Sequence, residues 1–373
     1  MSPDEDPASV RLGAIGLGGF ARFALQHFVQ VPGVELVCVG GASSQEAIHC
    51  ADRYGLEVLP DAQAVCDRDD VNWVYINTPP FLHAEQTRMA VQAGKNVLVE
   101  KPLATNLDDA ERIRKAAEQK GVRVVTNLMQ RHNPAVVAIK RIIDGGWLGS
   151  PLFFNFNNHA VDQGLPTEHW FWDREKSGGI FVEHGVHFFD LAEHWFGPGQ
   201  ILSAGSARRQ CDGVEDQVWC DARFGPTVAR FYHGFNQTSR TESQRWEIVF
   251  ERGQITSQGW IPMGFDAVAI VDEAETRSLM SLDENLRCRI VEQYDQADRQ
   301  VRGHGMLHQV YQKLNLRLDP PDDKSGLYGD LLVDLMTYQI AERSPARADA
   351  AVNNDKGGYD SLRLACEARR MAS

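Results

Sequence analysis

The sequence lacks long apolar runs and an excess of basic residues, and each absence narrows the possible function classes. Its 373 residues contain no stretch of about 18 uncharged apolar residues, so no membrane-spanning helix is predicted. Basic residues number 38 against 51 acidic ones, and the net charge of −13 argues against general binding to nucleic acid or anionic membranes. The acidic start, Met1–Asp6, has no apolar signal-peptide region.

Paired cysteine motifs and two common catalytic motifs are also missing. The seven cysteines are scattered and odd in number, and no C-x-x-C occurs, so a zinc ribbon is not supported. We expect reduced, mostly buried thiols and a cytoplasmic protein. Neither a G-x-S-x-G elbow nor a phosphate-binding P-loop occurs, which argues against a serine hydrolase and a P-loop NTPase.

The length and composition are those of an ordinary globular protein with two domains. Hydrophobic residues make up 43% and charged residues 24% of the chain, and about 150 residues per domain gives two. We predict a dinucleotide-binding domain over residues 1–132, with about nine frayed residues at its start. Residues 133–373 are predicted to form a substrate-binding and oligomerisation domain whose C-terminal helices pack back toward the first.

The first third alternates short apolar strands with helices. Strands are predicted at Val10–Ile15, Val34–Val39, Val71–Ile76, Val97–Val99 and Val122–Thr126. Helices are predicted after the first strand, with Phe20, Ala24 and Phe28 inward, and at Ser44–Tyr54, Pro80–Ala93 and Leu107–Lys120, the last capped by Asn106 or Thr105. Repeated β-α units of about 25–30 residues predict an α/β domain with a Rossmann-type, doubly wound parallel sheet.

The pattern changes near Pro134 and becomes α+β. After a helix to Ile143 and a strand at Leu152–Asn158, a helix is predicted at Ile180–Trp195. Strands without intervening helices follow at 200–210, 214–224, 227–235, 245–251 and 253–259. Segments 304–315, 325–342 and 357–371 are predicted to be helical. The second domain is therefore predicted to contain a large, mostly antiparallel open sheet, with helices on one face and an apolar platform on the other.

A glycine-rich turn between the first strand and helix fits the dinucleotide fingerprint G-x-G-x-x-(G/A), with Gly16, Gly18 and Ala21. The first glycine permits the tight turn, the second lets the pyrophosphate approach the backbone, and Ala21 keeps helix and strand close. Gly19 and Phe20 belong to the same turn. The strand-turn-helix context favours dinucleotide binding over a simple glycine turn.

The end of the second strand favours NADP over NAD. An acid usually binds the ribose 2′-hydroxyl of NAD there, but this sequence has Gly40, Gly41, Ala42, Ser43 and Ser44. An acid would repel a 2′-phosphate, whereas the two serines can donate hydrogen bonds to it. The turn has no arginine, so NAD stays open as the alternative.

Four further segments carry a family resemblance. They are Thr78-Pro79-Pro80 with His83, Glu100-Lys101-Pro102, Met129–Pro134, and Ser177–Asp190. Together with the glycine turn they resemble the glucose–fructose oxidoreductase / inositol dehydrogenase / rhizopine-catabolism (Gfo/Idh/MocA) family of NAD(P)-dependent oxidoreductases. The resemblance implies a cis peptide between Lys101 and Pro102 that aims Lys101 into the cleft. We expect Thr78, Pro79, His83, Glu100 and Lys101 to contact the cofactor, with Gly41 and Ser43.

Three residues are candidates for the chemistry of hydride transfer from a secondary alcohol, which needs a base for the hydroxyl proton and a cation or donor for the developing alkoxide. The resemblance gives His187 the place of the family's catalytic histidine, and an imidazole has an ordinary pKa close to neutral pH. Lys101 is expected to bridge the substrate hydroxyl and the cofactor ribose. Glu183 lies four residues before His187 on one helix face, where many family members have aspartate, and is expected to orient the imidazole or bind a hydroxyl.

Polar and aromatic residues of the second half suit a sugar or polyol. Substrate contacts are predicted for Arg131, Asn157, His159, Trp170, Trp172 and His184. A polar loop over an aromatic core is the alternative interpretation of the same composition. No metal is predicted, because the histidines and acids between 183 and 194 do not form an H-E-x-x-H motif.

The predicted function is reversible hydride transfer between NAD(P) and a secondary hydroxyl or ketone of a sugar, sugar derivative or cyclitol. Two alternatives stay open, namely an enzyme for dihydrodiol- or imine-type substrates and a non-catalytic dinucleotide-binding regulator. The partner is a small molecule, not nucleic acid or membrane. A homodimer or homotetramer through the second sheet is expected from the resemblance.

Overall fold

The computed structural model describes residues 9–321, 323–341 and 354–372. These residues form two compact units, each made of several chain segments. The first unit comprises residues up to Met129, Asp173–Asp190 and Ser325–Cys366, and the second comprises Gln130–Trp172, Leu191–Lys324 and the residues from Glu367 onward.

The first unit is built on a six-stranded parallel sheet, which confirms the predicted Rossmann architecture. Its strands are β1 Val10–Ile15, β2 Val34–Gly40, β3 Glu57–Leu59, β4 Trp73–Ile76, β5 Asn96–Val99 and β6 Val124–Thr126. The strand order is β3-β2-β1-β4-β5-β6, and all five pairings are parallel. The chain order reverses between β1 and β4, so the carboxyl ends of these strands mark the place where such sheets bind ligands.

Helices follow most of these strands, and several begin and end at the predicted caps. The helices of the chain are α1 Gly19–Phe28, α2 Gln45–Tyr54, α3 Ala62–Cys66, α4 Pro80–Gln92, α5 Leu107–Lys120, α6 Pro134–Asp144, α7 Arg174–Ser177, α8 Val186–Phe196, α9 Glu273–Met280, α10 Lys324–Ala341 and α11 Asn354–Met371. The Asn106 side chain accepts a hydrogen bond from the Asp109 amide at the start of α5, and Gly121 ends that helix in the left-handed conformation. In α1, Ala24 and Phe28 are buried as predicted, while Phe20 is half-buried.

The prediction of five strands in this sheet was wrong by one. The missing strand, β3, has three residues and lies at the edge of the sheet beside β2. Its first two residues are exposed and its third is half-buried, so the apolar alternation that marks a longer strand is absent. The short helix α3 was also missed. Its five residues are too few to show the repeat of apolar positions that predicts a helix.

The second unit contains a nine-stranded, mostly antiparallel sheet, as predicted. Its strands are β7 Pro151–Val161, β8 Gly199–Arg208, β9 Glu215–Phe224, β10 Thr227–Gln237, β11 Ser243–Phe250, β12 Gly253–Gln258, β13 Phe265–Val271, β14 Leu286–Gln293 and β17 Gln312–Leu318, while β15 Gln300–Gly303 and β16 Met306–Gln309 form a separate hairpin. The order is β14-β17-β13-β12-β11-β7-β10-β9-β8. The pair β7 and β10 is parallel, and the other pairs of this sheet are antiparallel.

The predicted helix at 304–315 was wrong, because this segment forms β16 and most of β17. His304, with φ of 46°, and Gly305 make the tight turn of the β15–β16 hairpin. In β17 the buried residues alternate with more exposed ones, and Leu314 and Leu316 point inward. A two-residue period is that of a strand and not of a helix.

The two faces of the nine-stranded sheet differ sharply. One face carries the aromatic core of the second unit, where Phe154 lies 5.8 Å from Trp195, 5.6 Å from Phe231 and 5.9 Å from Trp246 between ring centroids. The opposite face was predicted to be an apolar platform, but it is mixed. It carries ion pairs, including Arg230 with Asp221 and Arg317 with Asp266, beside the apolar residues Phe153, Val228 and Val249, and we call it the charged face.

All seven cysteines are free thiols, and four of them, Cys38, Cys50, Cys66 and Cys220, are buried. Burial raises the pKa of the Cys38 thiol and of the Cys66 thiol to about 11. These two thiols therefore stay protonated near neutral pH. Within the described ranges, every helix is too short or too polar to cross a membrane.

Candidate functional site

The glycine turn after β1 has the geometry of a phosphate-binding turn. Gly16 has φ of +84°, and a Cβ at this position would lie 2.6 Å from the carbonyl oxygen of Asn77. Only glycine fits here without moving the loop after β4. Ala21 is fully buried, so α1 packs directly onto the sheet.

The N-terminus of α1 is open to a ligand. Its N-cap, Gly18, supplies no side chain to the first-turn amides, and the first turn holds no acidic residue. Gly18 and Gly19 are exposed, and a Cβ on Gly19 would meet nothing within 4 Å. Unpaired amides at a helix N-terminus attract phosphate, so this turn fits the pyrophosphate of a dinucleotide.

The end of β2 carries glycine and serine, with no acid on the loop itself. Gly41 is exposed with φ of +74°, and Ser43 is exposed beside it. Ser44 has a structural role, because its Oγ accepts a hydrogen bond from the Ala47 amide and caps α2. Arg22 of α1 donates to the carbonyl oxygen of Leu17 at 3.2 Å, which brings a guanidinium beside the glycine turn.

His83, which was predicted to contact the cofactor, is enclosed by the protein and contacts two backbone carbonyls. The side chain is 1% exposed, and its two ring nitrogens each lie 2.7 Å from a backbone carbonyl oxygen, Nε2 from Thr78 and Nδ1 from Pro102. Burial lowers the pKa of this imidazole. His83 therefore joins the loop after β4 to the loop after β5. The hydroxyl of Thr78 donates a hydrogen bond to Gln86 Oε1 at 2.6 Å.

Glu100, at the end of β5, is the acceptor at the centre of a polar network. Its Oε1 accepts hydrogen bonds from the Tyr75 hydroxyl at 2.8 Å and from Asn127 Nδ2 at 2.7 Å. Asn77 Nδ2 in turn donates to the Tyr75 oxygen at 3.2 Å. Burial raises the pKa of the Glu100 carboxyl, and the two donors oppose that shift.

The ammonium group of Lys101 contacts two oxygen atoms of Glu183. Its Nζ donates to the Glu183 carboxylate Oε1 at 2.7 Å and to the Glu183 carbonyl oxygen at 2.8 Å. Both side chains are largely buried, with 20% and 14% of their area exposed. The Lys101–Pro102 peptide is cis, as the family resemblance implied.

The carbonyl that receives Lys101 belongs to an unusual turn. Residues Phe181–Gly185 form a π-helical turn immediately before α8. The prediction of one continuous helix over Ile180–Trp195 missed this turn. Wider turns of this kind recur at functional sites because they redirect backbone groups and side chains. Here the turn presents both the carbonyl and the carboxylate of Glu183 to Lys101.

His184 and His187 follow Glu183 on the same chain segment. Their ring centroids are 6.3 Å apart, and both side chains are half-buried. Burial, with a smaller contribution from the Lys101 charge, lowers the pKa of His184 to about 3. His184 is therefore neutral at working pH, and its ring can donate or accept a hydrogen bond but cannot supply a proton as an acid.

The predicted substrate residues of the second unit fall on different surfaces. Asn157 of β7 pairs with Tyr232 and Arg245, and His159 lies 4.9 Å from the Tyr232 ring, so both occupy the charged face of the sheet. Asn158, between them, is buried on the aromatic face. The sequence alone does not show which of two neighbouring strand residues faces the aromatic core, because that depends on the strand register.

Trp172 is held by the protein itself. Its indole nitrogen donates to the Leu165 carbonyl oxygen at 3.3 Å, and the Arg209 guanidinium lies 5.1 Å from its ring centroid. Trp170 and Arg131 are half-buried. The charge of Arg131 adds to burial in lowering the pKa of His132 to about 4.

Two buried amides were missed by the sequence analysis. Asn127 is 3% exposed, and within the described part of the chain its Oδ1 has no hydrogen-bond partner. Gln130, in the second unit, is also 3% exposed, and neither of its amide atoms is bonded to any described residue. No sequence signal distinguishes such residues, since an unpaired buried atom is a property of the fold. Among the residues that the structure covers, no group of three or more His, Cys, Asp or Glu could hold a metal.

Two family models match this chain in consecutive stretches. A model described as "Oxidoreductase family, NAD-binding Rossmann fold" matches residues 10–128. A second, described as "GFO/IDH/MocA C-terminal domain", matches residues 136–256. Together these stretches span more than half of the chain.

Individual relatives show the same relationship. The scyllo-inositol 2-dehydrogenase (NAD(+)) of Bacillus subtilis (strain 168) is 32% identical over 201 residues, 53% of this chain but only 57% of that enzyme. The 1,5-anhydro-D-fructose reductase of Ensifer adhaerens is 29% identical over 279 residues, 73% of this chain and 83% of that enzyme. The structure of levoglucosan dehydrogenase in complex with NADH and levoglucosan has a TM-score of 0.74 at 21% identity, covering 98% of this chain and 97% of the other, and shows a shared fold.

Proposed function

This chain belongs to the Gfo/Idh/MocA family of oxidoreductases, and on that premise we propose that it transfers a hydride between NAD(P) and a secondary hydroxyl or ketone of a sugar, sugar derivative or cyclitol. The observation that carries the proposal is the Lys101–Glu183 ion pair. Lys101 follows β5 of the parallel sheet, and β1 of the same sheet leads into the open glycine turn. The nicotinamide supplies the hydride chemistry when the cofactor is bound. The chain's own groups bind, orient and move the proton.

We assign the acid/base role to His187, which is half-buried and close to His184. Lys101 is proposed to place its ammonium on the substrate oxygen, where a cation stabilises negative charge as it develops. Glu183 is proposed to hold Lys101 in place through its two oxygen contacts. The depressed pKa of His184 leaves it as a neutral hydrogen-bonding group, which suits contact with a substrate hydroxyl.

We propose NADP as the preferred cofactor. The loop after β2 carries no acid to repel a 2′-phosphate, and Ser43 is exposed on it. Arg22 supplies a positive charge next to the glycine turn. Exposed Glu46 in the first turn of α2 opposes this preference, so the expected discrimination between NADPH and NADH is modest, about tenfold.

The assay that tests the proposal has two stages. Purified protein is titrated with NADH and NADPH, and then a panel of sugars and cyclitols is assayed in both redox directions. Binding followed by turnover supports the dehydrogenase. Binding without turnover on any substrate would favour the regulator, and no binding of either dinucleotide would defeat the proposal at the glycine turn. Dihydrodiols and imines added to the panel test the second enzymatic alternative.

We propose that two or four copies associate through the charged face of the nine-stranded sheet. Exposed Trp219 and Val228, 43% and 38% exposed, lie among its charged pairs and would be covered in an oligomer. Light scattering that shows only a 42 kDa species at working concentration would contradict this. Raised salt should weaken any part of the association that depends on the ion pairs of this face.

We further propose a cytoplasmic location. All seven thiols are free, and the four buried ones would be kept reduced in that compartment. Cell fractionation tests this directly, and recovery of the protein in an oxidising compartment would contradict it.

A further inference from the structure

Asn127 follows β6 and carries a buried acceptor that no described residue satisfies. The residue is 3% exposed, and its Oδ1 is both buried and without a hydrogen-bond partner in the ranges the structure covers. An unpaired buried acceptor is unfavourable, so such atoms are few in native proteins. The arrangement calls for a donor from a bound molecule.

The orientation of the Asn127 amide is fixed by its neighbour. The Nδ2 atom donates to Glu100 Oε1 at 2.7 Å, and the Tyr75 hydroxyl donates to the same oxygen at 2.8 Å. Because Nδ2 makes this hydrogen bond, the NH2 group of Asn127 faces the Glu100 carboxyl group. The oxygen of the amide is thereby directed away from the network.

The position of Asn127 in the sheet indicates which ligand donates. Val99 and Thr126 are register partners of β5 and β6, so Asn127 and Glu100 stand side by side at the carboxyl edge, next to Lys101. A dinucleotide crosses such a sheet with one nucleotide on each half, and its pyrophosphate lies at the glycine turn after β1. The half formed by β4, β5 and β6 carries Lys101, so it takes the nucleotide that reacts.

We propose that Asn127 Oδ1 accepts a hydrogen bond from the carboxamide NH2 of the nicotinamide ring. The contact rests on the proposed function, because it requires that a nicotinamide dinucleotide binds. It would fix the rotation of the ring about its glycosidic bond, and so which face of the ring is turned to the substrate. Asn127 is thus a positioning residue for the cofactor.

The contact between Asn127 and the carboxamide can be tested by comparing the binding of two cofactors that differ only in that group. In the 3-acetylpyridine analogue of NAD or NADP a methyl group replaces the carboxamide NH2, and ADP-ribose lacks the ring. Equilibrium binding by the wild-type chain should be about three- to tenfold tighter for the natural oxidised dinucleotide than for its analogue, the range of one hydrogen bond. Equal binding of the two by the wild type would overturn the proposal without any variant.

Two variants complete the test. Asn127→Leu, of similar size, should bring the ratio of the two dissociation constants to about one and leave ADP-ribose binding unchanged. The matched control is Tyr75→Phe, which removes the other hydrogen bond to Glu100 and should keep the ratio. A ratio preserved in Asn127→Leu, or lost equally in Tyr75→Phe, would contradict the contact. If the wild type binds none of the dinucleotides and no ADP-ribose, the proposed function itself fails.

Discussion

Lys101 makes two hydrogen bonds to a single residue, which ties its ammonium to one place. Lys101→Met keeps most of the side-chain stem and removes the charge and both bonds to Glu183. We expect kcat to fall by about 10²- to 10⁴-fold, because a cation at the reacting oxygen is lost. Steady-state kinetics on the best substrate, with dinucleotide binding measured alongside, checks this.

The control is Lys101→Arg, which keeps the charge but not the compact geometry and should recover part of the activity. Dinucleotide binding by Lys101→Met should weaken by less than about tenfold. If binding and turnover fall by the same factor, Lys101 acts on the cofactor rather than on the reaction.

Glu183 offers a test that separates charge from reach. Glu183→Gln keeps an oxygen at the same distance from Lys101 and removes the ion pair, whereas Glu183→Asp keeps the charge on a side chain one methylene shorter. We expect kcat to fall about tenfold or more in both variants, since the pair is largely buried and both features are used. A wild-type kcat in Glu183→Gln would show that catalysis does not need the charge of Glu183. A wild-type kcat in Glu183→Asp would show that it does not need the length of the side chain.

Single residues show how far sequence reasoning extends. Lys101 and Glu183 could be picked out because short motifs mark them, and the structure brings them together. The place of His83 could not, because both of its partners are backbone carbonyl oxygens, which no side-chain motif marks. Asn157 stays a predicted substrate residue, and only the strand register shows that its neighbour Asn158 faces the aromatic core.

The loops after β4 and β5 are joined through His83 on α4. His83→Ala would remove the N–H donor that one of the Thr78 and Pro102 carbonyls accepts from and would open a cavity, so we expect the free energy of unfolding to fall by about 2–4 kcal/mol. Chemical denaturation measures this, and kcat should fall as well because the loop that carries Lys101 loosens. Gln86→Ala, one turn along α4, removes only a side-chain contact to Thr78 and should cost less. Equal losses would remove the special role of His83.

The strand-turn-helix unit at the start of the chain can be tested with two neighbouring glycines. Gly16→Ala forces a Cβ to within 2.6 Å of the Asn77 carbonyl at a positive φ, and should lower the free energy of unfolding by about 2–4 kcal/mol. Gly19→Ala places its Cβ in open space on a helix and should leave stability unchanged or slightly raised. Thermal unfolding compares them, and a destabilised Gly19→Ala with a normal Gly16→Ala would contradict the turn geometry.

Whole elements were predictable where their ends are marked locally. The bounds of α5 agree residue for residue, because Asn106 and Gly121 are strong end signals. β3 and the π turn at Phe181–Gly185 carry no such signal, since a three-residue edge strand and a local widening of a helix depend on tertiary packing. The β15–β16 hairpin was missed, and its turn at His304 and Gly305 lacks the Asn-Gly or Asp-Gly pair that marks tight hairpins.

Across the whole molecule, half-buried histidines make stability depend on pH. Burial is the main cause that lowers the pKa of His184 to about 3 and the pKa values of His132 and His194 to about 4, from an ordinary value of 6.5. Below about pH 6.5 the unfolded chain binds protons at these residues that the folded chain does not. The free energy of unfolding therefore falls as the pH falls from 6.5 toward 4, by at most about 1.4 kcal/mol per pH unit for each histidine.

Thermal unfolding at half-unit steps from pH 7.5 to 4.5 should show a steady decrease in Tm below pH 6.5. His194→Gln removes one of the three groups and should make the decrease shallower, because a glutamine binds no proton in either state. His49→Gln, at an exposed position on α2, is the control and should leave the slope unchanged. A slope that is the same in all three proteins would mean that other groups set the acid sensitivity and that His194 is protonated in the fold.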